Sequence, residues 1–234
     1  MLRSVAVAAS LALLAGCAAD DSATTADDDS SDGTAPDRDP VESGVGIRAS
    51  GCGLTDSLGS GVAVVEPGLV VTVAHTVAGS EAVTVVDVAG TEHDAAVIAF
   101  DPDADLAALS VPTLDAPPLE IGRVAAGEAS TIRWQPDAGV TRADATITRR
   151  LGITIEDIFV EREVRRTGME LNADIVVGDS GGPVIDPMGA VVGIVYANSK
   201  SRPNIGFATD DEELRDLLAS VDASAGDVDT RRCI

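Results

Sequence analysis

From Val45 onward, short apolar runs follow one another closely, separated by turn residues and without a helical period, so few architectures can accommodate the chain. Val45, Ile47 and Ala49 alternate as a half-buried strand would. Gly59-Ser60-Gly61 leads into the run 62–65, Glu66-Pro67-Gly68 turns the chain, and 69–74 is a second apolar run. Further runs occupy 82–86, 95–100 and 106–111. Such spacing indicates an antiparallel barrel or sandwich. Aromatic residues make up only 2% of the 234 positions, so Val, Ala, Leu and Ile must fill the core, which favours β-structure.

Residues 112–121, with Pro112, Pro117 and Pro118, read as an extended connection to a second half. There the strand candidates are 130–134, 143–148, 158–162, 169–173, 184–186, 191–196 and 205–208. Thr209-Asp210-Asp211-Glu212 reads as a capping box opening a helix over 210–221, with Leu214, Leu217, Leu218 and Val221 on one face. The layout is two β-rich halves, 44–115 and 119–208, followed by one helix.

The start of the chain belongs to a different class. Arg3, the apolar run 5–14 and Leu14-Ala15-Gly16-Cys17 read as a secretory signal over residues 1–16, too short to span a bilayer permanently. Its last four residues resemble the lipobox of bacterial lipoproteins. That resemblance implies cleavage before Cys17 and acylation of its sulfur, making the bilayer a partner. The expected location is extracytoplasmic, anchored to the bacterial membrane, with simple secretion as the alternative. Residues 17–43 are acidic and nearly free of apolar side chains, which predicts a flexible tether. A formal net charge of −23, with Lys200 as the only lysine, argues against nucleic acid and anionic lipid as electrostatic partners.

Chemistry concentrates in Gly178-Asp179-Ser180-Gly181-Gly182-Pro183. A serine between small residues can expose its hydroxyl in a tight loop, and the N–H groups of Gly178 and Ser180 can converge beside it as an oxyanion hole. Alone, the hexapeptide could equally be a Gly-rich turn. His75 ends the run 69–74, where a rigid strand would fix its ring as a general base, although a histidine there is more often structural. His93, at a polar strand entry, reads as exposed and non-catalytic. Asp101 and Asp103 look like turn residues, whereas Asp105 opens an apolar run and can be partly buried, needing a partner such as an imidazole N–H.

Taken together, Thr72-Val73-Ala74-His75, Asp105-Leu106-Ala107 and the Gly178–Pro183 loop, in the order His…Asp…Ser, resemble the trypsin-like serine proteases over roughly residues 44–222. Among bacterial members the chain is similar to the high-temperature-requirement proteases and, more closely, to the actinobacterial acid-resistance membrane proteases. The resemblance implies an all-β fold of two six-stranded antiparallel barrels with a C-terminal helix. It also implies a His75–Asp105–Ser180 triad acting on protein or peptide substrates, with no metal or organic cofactor called for. A catalytically silent peptide-binding lipoprotein is the competing reading, and the complete triad argues against it. Only about a dozen residues follow the helix, so neither a PDZ domain nor chaperone-like assembly is expected, and the chain reads as a monomer. Asp179 lacks the freed N-terminus that pairs with its counterpart in animal trypsins and needs another partner, which the sequence does not identify.

For the substrate pocket, Asp174 stands where trypsin-like enzymes select Arg or Lys, while Ile175 and Val176 would line an apolar pocket with Asp174 turned away. The apolar version is expected, with Tyr196 as a further wall. With Cys17 committed to lipid, Cys52 and Cys233 remain, and an even pair in an exported chain suggests a disulfide clasping the two ends of the domain. The acid-resistance relatives carry a comparable clasp. Two free thiols, or a bond to a second chain, are the alternatives.

Overall fold

The computed structural model describes residues 39–222 and 226–234, so the signal, Cys17 and most of the proposed tether lie outside the described residues. Six strands close the first barrel: β1 (Gly44–Ser50), β2 (Ser57–Ala63), β3 (Leu69–Thr72), β4 (Ala82–Val86), β5 (Glu92–Asp101) and β6 (Leu106–Ser110), in the order β1-β2-β3-β6-β5-β4. Six more close the second: β7 (Gly127–Gln135), β8 (Gly139–Glu156), β9 (Glu163–Asn172), β10 (Pro183–Ile185), β11 (Val191–Asn198) and β12 (Ile205–Thr209), in the order β10-β11-β12-β9-β8-β7. Every strand pairing in both barrels is antiparallel. A single turn of helix, α1 (Ala74–Val77), follows β3, and α2 (Asp211–Ser220) ends the fold.

The near-continuous apolar runs follow from burial on two sides. Side chains alternate across a strand. Val62, Val64, Leu69, Val71 and Val73 therefore point into the cluster between the barrels, with Ile132, Ile185, Ile194, Leu214 and Leu217. Ala63 and Val70 point instead into the first barrel, beside Val45, Ile47, Val85 and Leu109. Met169, Leu171, Val184, Val192 and Val195 fill the second barrel.

Several sequence expectations need correction. Residues 158–162 do not form a strand; they turn β8 into β9, held by the Asp157 carboxylate, which accepts from the N–H groups of Phe159 and Glu161. The strand expected at 143–148 is the middle of β8, which runs for 18 residues because β9 pairs with it to the tip. The N-cap of α2 is Asp210, whose carboxylate accepts from the N–H groups of Glu212 and Glu213, and not Thr209, whose hydroxyl accepts from the N–H of Ile194. The tether also ends earlier than residue 43. Pro40–Ser43 form a 3-10 turn capped by Asp39, and Ser43 is fully buried. His93 is not exposed, since its ring bonds Thr113 and Asp87 and its side chain keeps only 10% of its surface.

Cys52 and Cys233 are disulfide-bonded across 181 residues of sequence. The tail does more than hang from this bond. The N–H of Val228 donates to Val97 O, that of Val97 to the Asp227 carboxylate and that of Gly79 to Thr230 O. Arg231 and Arg232 then pair with Glu161 at the β8–β9 tip and lie against the Phe159 ring. Among the described residues, no helix is long and apolar enough to cross a membrane.

Candidate active site

His75 lies in α1 and not at the end of β3, as the sequence suggested, because the strand stops at Thr72 and the chain turns helical at Ala74. The Asp101 carboxylate accepts from the N–H groups of Asp103 and Ala104, which shapes the turn that delivers Asp105. Asp105 adopts φ +55°, a left-handed conformation that Asp tolerates better than most residues, and is 5% exposed. Both of its carboxylate oxygens serve one residue: Oδ1 accepts from the His75 backbone N–H at 2.9 Å and Oδ2 meets Nδ1 at 2.8 Å. A carboxylate only accepts, so Nδ1 carries the proton and Nε2 presents its lone pair.

Ser180 stands in the β9–β10 loop, where the peptides are pinned one after another. The Val177 carbonyl accepts from Gln135 Nε2, the Gly178 carbonyl from the Ser60 hydroxyl, the Asp179 carbonyl from the Gly182 N–H and the Ser180 carbonyl from the Ser60 N–H. The N–H groups of Asp179 and Gly181 donate to Val176 O and Val195 O. Among the described residues nothing accepts from the N–H of Gly178 or of Ser180. These two free donors flank the serine. Gly178 sits at φ +97° and Gly181 at φ +91°, and a Cβ on Gly181 would overlap the Ser60 carbonyl and the Thr72 hydroxyl, so glycine is required there.

The two parts meet across the barrels. The site of a Cβ on Gly59 would lie 2.9 Å from the Thr76 hydroxyl and 3.0 Å from the Ser180 carbonyl, which places Ser180 beside the residue following His75. No hydrogen bond among the described residues joins the His75 ring to the Ser180 hydroxyl. Such bonds are often long without substrate.

Burial disfavours the His75 imidazolium, and the charge of Arg166 acts in the same direction. The bond and charge of Asp105 outweigh both and raise the pKa above the ordinary 6.5. Arg166, 7% exposed, stacks at 4.3 Å over the ring of Tyr196, whose phenol burial pushes up. Buried Asp179 finds its partners in Arg133, at 3.3 Å, and the Val176 N–H; burial nevertheless pushes its carboxyl up. Reading the sequence missed Arg133, Arg166 and the bonds of Ser60. Only the need of a buried Asp179 for a cation pointed toward the first.

The four expected pocket residues are not gathered in one place. Asp174 and Ile175 border a cavity of about 220 Å³ with Asn198, Arg202 and Ile205. Ile175 is 8% exposed and packs against Gly206, while Asp174 is exposed. Tyr196 borders a larger groove of about 430 Å³ with Ile153, Ile155 and Phe207. Val176 borders neither and is 41% exposed.

Residues 59–194 match the family model of the trypsin-like peptidase domain. The chain belongs to the trypsin-like peptidase family. It is 36% identical over 176 residues, 73% of its length, to the serine protease Rv3671c of Mycobacterium tuberculosis, of which it spans 44%. It is 34% identical over 163 residues to a probable periplasmic serine endoprotease, DegP-like, of Brucella suis, covering 64% of this chain and 30% of that protein. The chain thus spans less than half the length of these curated relatives. The crystal structure of the Rv3671c protease in its active form superposes with a TM-score of 0.78 at 31% identity, over 83% of this chain and 87% of that one. The inactive form gives 0.68 at 32% identity, over 79% and 91%.

Proposed function

We propose that this trypsin-like family member is an extracytoplasmic, lipid-anchored serine endopeptidase using His75, Asp105 and Ser180. The observation that carries the reading is the doubly bonded His75–Asp105 pair beside a serine flanked by two unpartnered N–H groups. Ser180 Oγ turns toward Nε2, gives up its proton to it and attacks the substrate carbonyl. The N–H groups of Gly178 and Ser180 receive the developing oxyanion. His75 returns the proton to the leaving amine, and water then releases the acyl group by the same route. Lipid attachment at Cys17 rests on the Leu14-Ala15-Gly16-Cys17 box alone. The test is a fluorophosphonate probe on the mature protein, expected to form one adduct, on the peptide carrying Ser180. A protein that resists the probe refutes the reading.

General-base action requires neutral His75, so activity rises as pH climbs through its pKa. Because that pKa is raised, the acid limb of the kcat/KM profile falls above pH 6.5. Arg166 works against the imidazolium, so Arg166→Gln moves the limb to still higher pH, and Arg166→Lys restores it. A limb that stays in place in Arg166→Gln rules out this coupling.

Buried Ile175 lines this cavity with its apolar side chain, while the Arg202 guanidinium is held by Glu170, so the wall favours an aliphatic residue before the scissile bond over Arg or Lys. A peptide library is expected to show a preference of about tenfold or more. Selection of Arg or Lys would instead assign the pocket to Asp174.

A further inference from the structure

Ser60 belongs to the first barrel, yet every polar atom it owns is hydrogen-bonded and two of its four bonds hold the serine loop. Its hydroxyl accepts from the Trp134 N–H at 2.8 Å and donates to the Gly178 carbonyl at 2.8 Å. Its N–H donates to the Ser180 carbonyl at 2.7 Å, and its carbonyl accepts from the Thr72 hydroxyl at 2.7 Å. The residue is 1% exposed. A serine whose four bonds only held a strand would spend them within its own sheet. Three of these leave it for β7 and the serine loop, and the fourth stays in the barrel, on the strand β3 that leads to His75.

We infer that Ser60 is a positioning residue that sets the oxyanion donors of the loop, an inference that rests on the protease reading above. A peptide is planar, so fixing its carbonyl fixes the plane. Ser60 fixes the planes of peptides 178–179 and 180–181, which adjoin the two peptides carrying the free N–H groups of Gly178 and Ser180. The hydroxyl acts on the first, at Gly178, which sits at φ +97°. In Ser60→Ala the buried Trp134 N–H and the half-buried Gly178 carbonyl lose their shared partner, and the first donor loses its register. Ser60 touches no substrate and acts only through Gly178 and Ser180. Thr72, bonded to its carbonyl three residues before His75, ties the same residue to the base.

Removing an oxyanion donor outright costs about 10²–10³ in kcat. Misplacing one is therefore expected to lower kcat in Ser60→Ala by about 10- to 100-fold, with KM changed less than about threefold. The discriminating measurement uses two inhibitors of the same peptide sequence. A peptide boronic acid forms a tetrahedral anion that uses the donors, whereas a reduced-amide peptide has no carbonyl oxygen to place there. Ser60→Ala should weaken the boronic acid by the same factor as kcat/KM and leave the reduced amide unchanged. Ser60→Cys, with a weaker donor of similar shape, should fall between Ala and wild type, and it serves if Ser60→Ala does not fold. Unchanged kcat, or equal weakening of both inhibitors, overturns the inference while leaving the protease reading intact if wild type takes the fluorophosphonate at Ser180. A wild type that refuses the probe overturns both.

Discussion

Ser180→Ala is expected to abolish peptide hydrolysis, lowering kcat by on the order of 10⁴ or more. The reason lies in how little else the site could use. The His75 ring is tied at Nδ1 to Asp105 and offers only Nε2, so without the Ser180 hydroxyl the base has no nucleophile to deprotonate. Substrate would still bind, and the free N–H groups of Gly178 and Ser180 would still polarise its carbonyl, which leaves a small residual rate for water attack. The fold should survive, since among the described residues the Ser180 side chain makes no hydrogen bond, while its carbonyl, bound to the Ser60 N–H, is untouched. His75→Ala should cost a comparable factor, and the effects of the two substitutions should not add. Circular dichroism and melting establish the fold, and progress curves at high enzyme concentration bound the rate. Full activity in a clean Ser180→Ala preparation would remove the triad assignment.

Opening the Cys52–Cys233 bond should produce the largest loss of stability of any single surface substitution. The bond closes 181 residues, for which the chain-entropy model gives roughly 5 kcal/mol as an upper figure. At about 2–4 °C per kcal/mol for a domain of this size, Cys233→Ser should lower Tm by up to roughly 10–20 °C. The folded side contributes as well. Without the bridge, the tail keeps the Val228 and Thr230 backbone bonds and the pairing of Arg231 and Arg232 with Glu161. Those pairs are 42–58% exposed and therefore weak, so the tail should fray from the β8–β9 tip. Calorimetry with and without reductant checks the shift, and hydrogen exchange at Gly79 and Val97, whose N–H groups bond the tail, checks the fraying. Probe labelling of Ser180 well below the new Tm should persist. A Tm that does not move would mean that the tail's own contacts hold the ends together.

What the sequence determined by itself is local or forced by counting. Turn residues at close spacing, with Val-rich runs between them, require antiparallel strands. The glycines around Ser180 mark a loop that no other residue could follow, and two cysteines left in the domain can make one internal pair. The tertiary structure decided the rest. Strand limits were blurred because β2 and β3 bury both faces, one in a barrel and one between barrels, which erases the alternation that marks an edge. Residues 158–162 looked like a strand because Ile158, Phe159 and Val160 are apolar. Phe159 in fact packs under the arginines of the tail, a contact that no local pattern announces. The partners of the loop lie furthest from view: Arg133 reaches Asp179 across 46 positions, and Ser60 reaches Gly178 across 118. A hydrogen bond between barrels depends on how the two closed sheets are set against each other. That packing is a property of the whole core, so the residues it brings together carry no mark in the chain.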